Sequence, residues 1–193
     1  MRMQFLIIAT LSPLLAGACQ PEVYSVTQDR LYSPSEFRFA AGAKEVFTNI
    51  RGNPFGSPDG QFEALVLGAM QRGVQHIDTA LVRRPTFTTR RERAARPDYR
   101  ITLVLNPKEG VGAAEVCSAP DGVAIAPGGG GLRARMVFCR DGRVLSTSFG
   151  AITGVDDPAD PGFRRMIAHM TRELFPHRAF RDGFDASASG RVN

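Results

Sequence analysis

The 193-residue chain has no tryptophan, only two lysines, three histidines and three cysteines. No histidines or cysteines have the short spacing of a zinc or H-E-x-x-H site, so a metal site is not expected. There is no G-x-S-x-G sequence, and the run Gly128–Gly131 lacks the Lys-Ser/Thr that completes a phosphate-binding loop. The motifs of common enzyme classes are therefore missing, and we expect neither an enzyme nor a cofactor.

The apolar run at the start of the chain is also short, extending from Phe5 to Leu15. It falls well below the ~20 residues that a membrane-spanning helix needs. Arg2 precedes the run, and Ala16-Gly17-Ala18-Cys19 follows it. This order is typical of an export signal that occupies residues 1–18. Leu15–Cys19 resembles the lipobox of bacterial lipoproteins, which implies that Cys19 is acylated. Cleavage after Ala18 by the ordinary signal peptidase remains the alternative.

The cysteine count favours the lipoprotein. Cys117 and Cys139 lie 22 residues apart in the expected folded region, and we predict that they pair in an oxidising compartment. Such a disulfide contributes about 3 kcal/mol. Cys19 then remains at the position that a lipid takes. Gln20 is not the Asp that retains many lipoproteins in the inner membrane, so an outer-membrane, periplasm-facing location is favoured.

The rest of the chain reads as one domain with polar extensions. We predict a tether over 19–42 that ends in a short edge strand at Phe37–Phe39, a domain over 43–176 and a flexible tail over 177–193. Within the domain, alternation predicts a strand over 44–50, and the run YRITLVL predicts another over 99–105 that Asn106-Pro107 ends. Pro85–Thr89 is interpreted as an exposed strand.

Two amphipathic helices and a hairpin complete the prediction. Ser57-Pro58 starts the first helix, with Ser57 as its cap, and Asp160-Pro161 starts the second. Their apolar stripes are led by Phe62 and Phe163. Arg140-Asp141-Gly142 joins the two strands of the hairpin. This order lacks the repeated βα units of a doubly wound sheet. It predicts an α+β fold, a mostly antiparallel sheet with two amphipathic helices on one face.

Charge is concentrated in one segment. The chain has 24 basic and 19 acidic residues, a net charge of +5. Seven arginines lie between residues 83 and 100 with only Glu92 and Asp98 among them: Arg83, Arg84, Arg90, Arg91, Arg93, Arg96 and Arg100. Arginine suits phosphate and carboxylate groups. Because an exported protein rarely meets nucleic acid, we expect an anionic envelope partner, and a solvated sheet edge is the equally weighted alternative.

Asp156, Asp157 and Asp160 form the densest acidic cluster. Their oxygens suit a calcium ion, but the EF-hand spacing is missing. We therefore favour the interpretation that they complement the start of the second helix.

Several motifs together resemble a family of Gram-negative, proteobacterial lipoproteins: Arg51-Gly52-Asn53-Pro54-Phe55, Ala95–Arg100, Asn106-Pro107, Phe138-Cys139, Gly154–Pro158, Phe163-Arg164-Arg165 and Leu174-Phe175-Pro176. The likeness covers about Lys44 to Pro176 and implies lipoprotein status, without an activity. The element order is also similar to that of small envelope accessory lipoproteins, such as transporter auxiliaries and activators of penicillin-binding proteins. That second likeness carries no site residues.

The leading hypothesis is a non-enzymatic, lipid-anchored periplasmic domain that binds an envelope protein or an anionic envelope component. The first alternative is an envelope hydrolase whose site brings together His76, Asp78 and Ser146, since such groups meet in space rather than along the chain. The second is a carrier of a small ligand, which predicts an apolar cavity beneath the Phe62 and Phe163 stripes.

Overall fold

In the part of the chain that the structure describes, six strands form one mixed sheet at the centre of the fold. The computed structural model describes residues 22–26, 34–41, 45–75, 77, 84–129 and 131–175. Along the sheet the strand order is β1-β6-β5-β4-β2-β3, where β2 runs parallel to both its neighbours and the other pairs are antiparallel. The strands are β1 (Glu22–Val26), β2 (Glu45–Arg51), β3 (Thr86–Thr88), β4 (Tyr99–Leu105), β5 (Leu132–Arg140) and β6 (Arg143–Ile152).

Among the described residues, four α-helices accompany the sheet: α1 (Pro34–Ala41), α2 (Asp59–Gly73), α3 (Ala113–Ser118) and α4 (Pro161–Leu174). The α+β class with a mostly antiparallel sheet is confirmed. Within the described residues, no helix combines the length and apolar character that crossing a membrane requires.

The main core lies between one face of the sheet and the helices α1, α2 and α4; we call this the helix face. Alternate residues of β5 point into it, namely Leu132, Ala134, Met136 and Phe138. The predicted stripes of α2 and α4 meet them, and Phe62 and Phe163 are almost fully buried. The period-2 pattern of the strands and the 3.6-residue pattern of the helices thus bury their apolar sides in one layer.

A smaller core lies on the opposite face. Val104 and Val137 of the sheet meet Val116 of α3 there, together with Val123 from the loop that follows α3. The predicted disulfide is present, since Cys117 of α3 and Cys139 of β5 are joined with their Cα atoms 5.6 Å apart. We call residues 113–126 the strap, because this segment crosses the opposite face and the disulfide fastens it to the sheet.

Three predictions about strands and the tether are wrong. Phe37–Phe39 lies in α1 rather than in a strand, because the helix buries Phe37 and Ala40 against the main core. Two parts of the predicted 19–42 tether hold regular structure, since β1 pairs with β6 and α1 packs on the sheet. The strand near Pro85–Thr89 is not exposed, because it pairs with β2 and buries Phe87 in the main core.

Ser57 does not cap α2, whose N-cap residue is Pro58, with no side-chain hydrogen bond to the helix. Asp160 does cap α4, since its carboxylate accepts from the backbone of Gly162 and Phe163 at 2.6 and 3.3 Å. The Arg140-Asp141-Gly142 hairpin is confirmed, and both Asp141 and Gly142 have the positive φ of a tight turn. Residues 1–18, Cys19 and the tail over 177–193 lie outside the described residues.

Candidate functional site

The arginine segment, residues 83–100, runs along the end of the sheet at which β2 and β4 begin. After β3 it forms a 3-10 turn at Arg91–Arg93 and then enters β4. The backbone of Ala94 bridges to Glu45 at the start of β2, and the Ala95 N–H donates to the Glu45 carbonyl at 3.0 Å. The segment is therefore fastened to the sheet, and its arginines have fixed neighbours. Arg83 lies outside the described residues, and Arg84 is exposed just before β3.

Two of the predicted contact arginines have structural roles instead. The Arg93 guanidinium pairs with Glu45, with Nε and Oε2 2.6 Å apart, so its charge is compensated. Arg100 is half-buried, and its Nη2 donates to the carbonyl of Cys117 in the last turn of α3. Burial lowers the pKa of Arg100, and the positive charge of Arg91 lowers it further. Arg100 therefore holds the strap against the sheet.

Arg90, Arg91 and Arg96 are exposed, and in the described part of the chain no carboxylate lies within ion-pair distance of them. Arg96 stacks over the ring of Phe39 at 4.5 Å, and Arg91 lies 5.9 Å from the ring centre of Phe47. Such cation–π contacts orient a guanidinium and leave its N–H groups able to donate.

Phe39 belongs to the same surface. It is 53% exposed, the larger of the two exposed large hydrophobic residues in the described part of the chain. Arg91 also reaches the Pro97 carbonyl at 3.5 Å, which places it beside Arg96. We call Arg90, Arg91, Arg96 and Phe39 the arginine corner.

Phe39 was not predicted as a site residue, because residues 19–42 were expected to form a tether. The sequence does contain a signal for α1, since Ser33-Pro34 followed by Glu36 is a typical helix start.

Tyr99 helps to hold α1 in place: its hydroxyl donates to Glu36, which also pairs with Arg140 at 3.1 Å. Burial, then the Glu36 hydrogen bond and its negative charge, raise the pKa of Tyr99 to about 12.

A cleft of about 510 Å³ lies at the opposite end of the sheet, where β2 and β4 finish. Several motifs of the resemblance come together in its lining, which consists of Pro54, Phe55, Asn106, Gly128, Gly129, Gly131, Leu132, Gly154, Val155 and Asp156. Asn106 has a positive φ, and its Oδ1 accepts from the backbone of Arg133 at 3.0 Å, so this side chain shapes the loop.

The acidic cluster next to the cleft does not act as one unit. Asp160 caps α4, Asp157 accepts from the backbone of Ala159 at 2.7 Å, and Asp156 lines the cleft. Among the described residues no group of three histidine, cysteine or acidic residues is placed to hold a metal ion. The interpretation of Asp160 as a helix cap is confirmed.

The residues named for the two alternative functions are placed differently. Ser146 is 2% exposed and its hydroxyl donates to the Leu174 carbonyl at 3.0 Å, so it fastens α4 to β6 and does not face solvent. His76 and Asp78 lie outside the described residues. The rings of Phe62 and Phe163 stack with their centres 6.3 Å apart, and Phe55 packs against both. The stripes therefore contact each other directly.

Comparison with known proteins gives a distant structural likeness. No protein-family model matches the chain, and no curated protein matches it. Among the similar solved structures are the PelC dodecamer from Paraburkholderia phytofirmans and a single-residue variant of it, at 15% and 14% identity. Both cover 80% of this chain and 98% of the PelC chain, with a TM-score of 0.41. At that level of similarity the likeness supports no argument about function.

Proposed function

We propose that this protein is a lipid-anchored periplasmic binding lipoprotein of the outer membrane, and that the arginine corner contacts an anionic envelope partner. Cys19 is the lipid-bearing residue in this proposal. The observation that carries the proposal is the arginine corner itself, where three exposed guanidinium groups lie together and no described carboxylate neutralises them. Clustered cations attract anionic partners more strongly than the same charges dispersed over a surface.

The disulfide supports the proposed periplasmic location. Cys117 and Cys139 are both fully buried and joined, and disulfides of this kind persist in oxidising compartments such as the bacterial periplasm. Cys19 is then the one cysteine left for acylation, directly after the export signal. Two or three acyl chains provide the stable anchoring that a single chain does not.

The anchor is tested by labelling cells with radioactive palmitate. The wild-type protein is expected to carry the label and to fractionate with the outer membrane, and Cys19→Ala is expected to lose both. A labelled C19A protein, or an unlabelled wild type, contradicts the lipoprotein assignment.

The contact surface is tested with two variants of equal charge. The corner triple is R90A/R91A/R96A; the matched control triple is R133A/R165A/R172A, which removes three exposed arginines elsewhere on the surface. Affinity purification from envelope fractions is expected to recover a partner with the wild type and the control triple, and to lose it with the corner triple. Equal recovery with all three proteins contradicts the assignment of the surface.

A further inference from the structure

The position of β1 determines which part of the domain an acyl anchor on Cys19 would keep near the membrane. It is the edge strand of the sheet, and its first residue, Glu22, pairs with Ala151 near the end of β6. Cys19 precedes Glu22 by three residues, so their Cα atoms are at most about 11 Å apart whatever the backbone conformation. The acyl chains would therefore keep this corner of the sheet, the corner next to the cleft, close to the membrane surface.

The arginine corner lies diagonally across the sheet from that point. Along the strands, it flanks the start of β4, where Tyr99 pairs with Arg140 beside the hairpin turn. Eight residue steps of β6 separate Arg143 at this turn from Ala151, a length of about 27 Å. Across the sheet, β2 is four strands away from β1, or about 19 Å. The two corners are therefore separated in both directions.

Lying flat on the membrane would not bring the whole arginine corner to the lipid either. Arg96 stacks on Phe39 of α1, which packs on the helix face, whereas Arg91 lies over Phe47. Phe47 alternates with the buried Val46 and so points to the opposite face. The corner thus extends around the sheet edge, and a flat orientation would present only one side of it to the headgroups.

We infer that the arginine corner points away from the anchoring membrane and docks on the acidic surface of another protein in the periplasm. This inference rests on the proposed function. Arginine next to exposed aromatic rings is the composition of protein–protein contact sites, and the 53% exposed Phe39 supplies an apolar centre beside Arg96. The headgroups of the protein's own membrane lie at the other end of the domain.

The orientation is tested with the full lipidated chain in phosphatidylcholine vesicles that carry a nitroxide on the headgroup, with and without phosphatidylglycerol. A fluorophore is attached through an unnatural amino acid at Thr153, beside the cleft, or at Glu92, between the corner arginines; both positions are exposed. Emission at Thr153 is expected to be quenched, and emission at Glu92 to be unchanged in both vesicles. Quenching at Glu92 in either vesicle overturns the inferred orientation.

The partner is tested in cells with a photoreactive residue at Glu92 of the lipidated protein. We expect an adduct with a protein whose cross-linked peptide is rich in Asp and Glu, insensitive to muramidase, lost in the corner triple and kept in the control triple. An adduct with lipid, an adduct that muramidase removes, the absence of any adduct, or equal loss in both triples overturns the inference. The palmitate label distinguishes this failure from failure of the proposed anchor, because the label stays when only the docking assignment is wrong.

Discussion

Gly73 is in close contact with α4. A Cβ atom at this position would lie 2.3 Å from the carbonyl oxygen of Ala168 and 2.8 Å from the Cβ of Thr171. Because the first of these contacts is with the backbone of α4, a rotamer change cannot relieve it. We predict that Gly73→Ala lowers the free energy of unfolding by about 3 kcal/mol, measured by urea denaturation.

Gly68 is the matched control on the same helix. It is exposed, and a Cβ there meets no atom within 4 Å, so Gly68→Ala is expected to stabilise the protein by about 0.5–1 kcal/mol through helix propensity alone. A similar change in both variants would show that helix propensity, and not the contact between the helices, decides the effect at Gly73.

Tyr99 provides a spectroscopic report on how α1 is attached. Its pKa is raised from 10.0 to about 12 by burial and by Glu36, which stabilises the neutral phenol in the folded state. The raised pKa of Tyr99 contributes in full to the free energy of unfolding below pH 10, and this contribution is lost as the pH rises through about 12. In a Tyr24→Phe/Tyr32→Phe background, absorbance titration should show one late ionisation.

Glu36→Gln separates the two causes of the Tyr99 shift. It removes the negative charge and keeps the size of the side chain, so the pKa of Tyr99 should fall towards 10.0 without reaching it, because burial remains. An unchanged titration would show that Glu36 does not hold the phenol.

At the scale of elements, the sequence predicts the helices and strands whose signal extends over many residues. The run of strand-forming residues over 99–105 and the apolar stripe of α4 each extend over many residues, so both elements form where they are expected. Six of the seven residues of β4 are buried. Single-residue signals are weaker. Ser57-Pro58 and Asp160-Pro161 look alike in the sequence, yet only Asp160 places its side chain on the helix N–H groups. Tertiary packing, which the local sequence does not contain, decides between them.

The attachment of the strap to the sheet can be tested by removing the disulfide. Among the contacts that fasten the strap to the sheet are the disulfide, the hydrogen bond from Arg100 to the Cys117 carbonyl, and the hydrogen bond from Arg51 Nη2 to the Asp121 carbonyl at 2.8 Å. We predict that C117A/C139A lowers the free energy of unfolding by about 3 kcal/mol, the value for a loop of this length. The main core should stay intact, because the strap packs on the opposite face.

Hydrogen exchange can compare the loss of stability in the strap with that in the sheet. Amides of residues 113–126 should lose more protection in C117A/C139A than those of the paired strands β5 and β6, whose exchange can rise only by the fall in global stability. An equal loss of protection in both regions would contradict the separation of the two cores.

At the scale of the whole molecule, the sequence predicted the charge of the candidate site but not its shape. The charge is visible in the sequence as seven arginines between residues 83 and 100, yet Arg93 is paired with Glu45 and Arg100 is bonded to the strap. These partners lie 48 and 17 residues away along the chain, so no local pattern reveals them. Phe39 joins the corner because α1 packs on the sheet, and this long-range contact is not visible in the local sequence either.

The grouping of charge on the folded molecule has a direct consequence for binding to polyanions. A cluster of like charges produces a stronger local potential than the same number dispersed, and the attraction weakens as salt screens it over about 8 Å at physiological ionic strength. On a polyglutamate column, we predict that the corner triple elutes at clearly lower salt than the control triple, although both have lost three positive charges. Elution of the two triples together would show that net charge, rather than the arginine corner, determines how tightly this protein binds a polyanion.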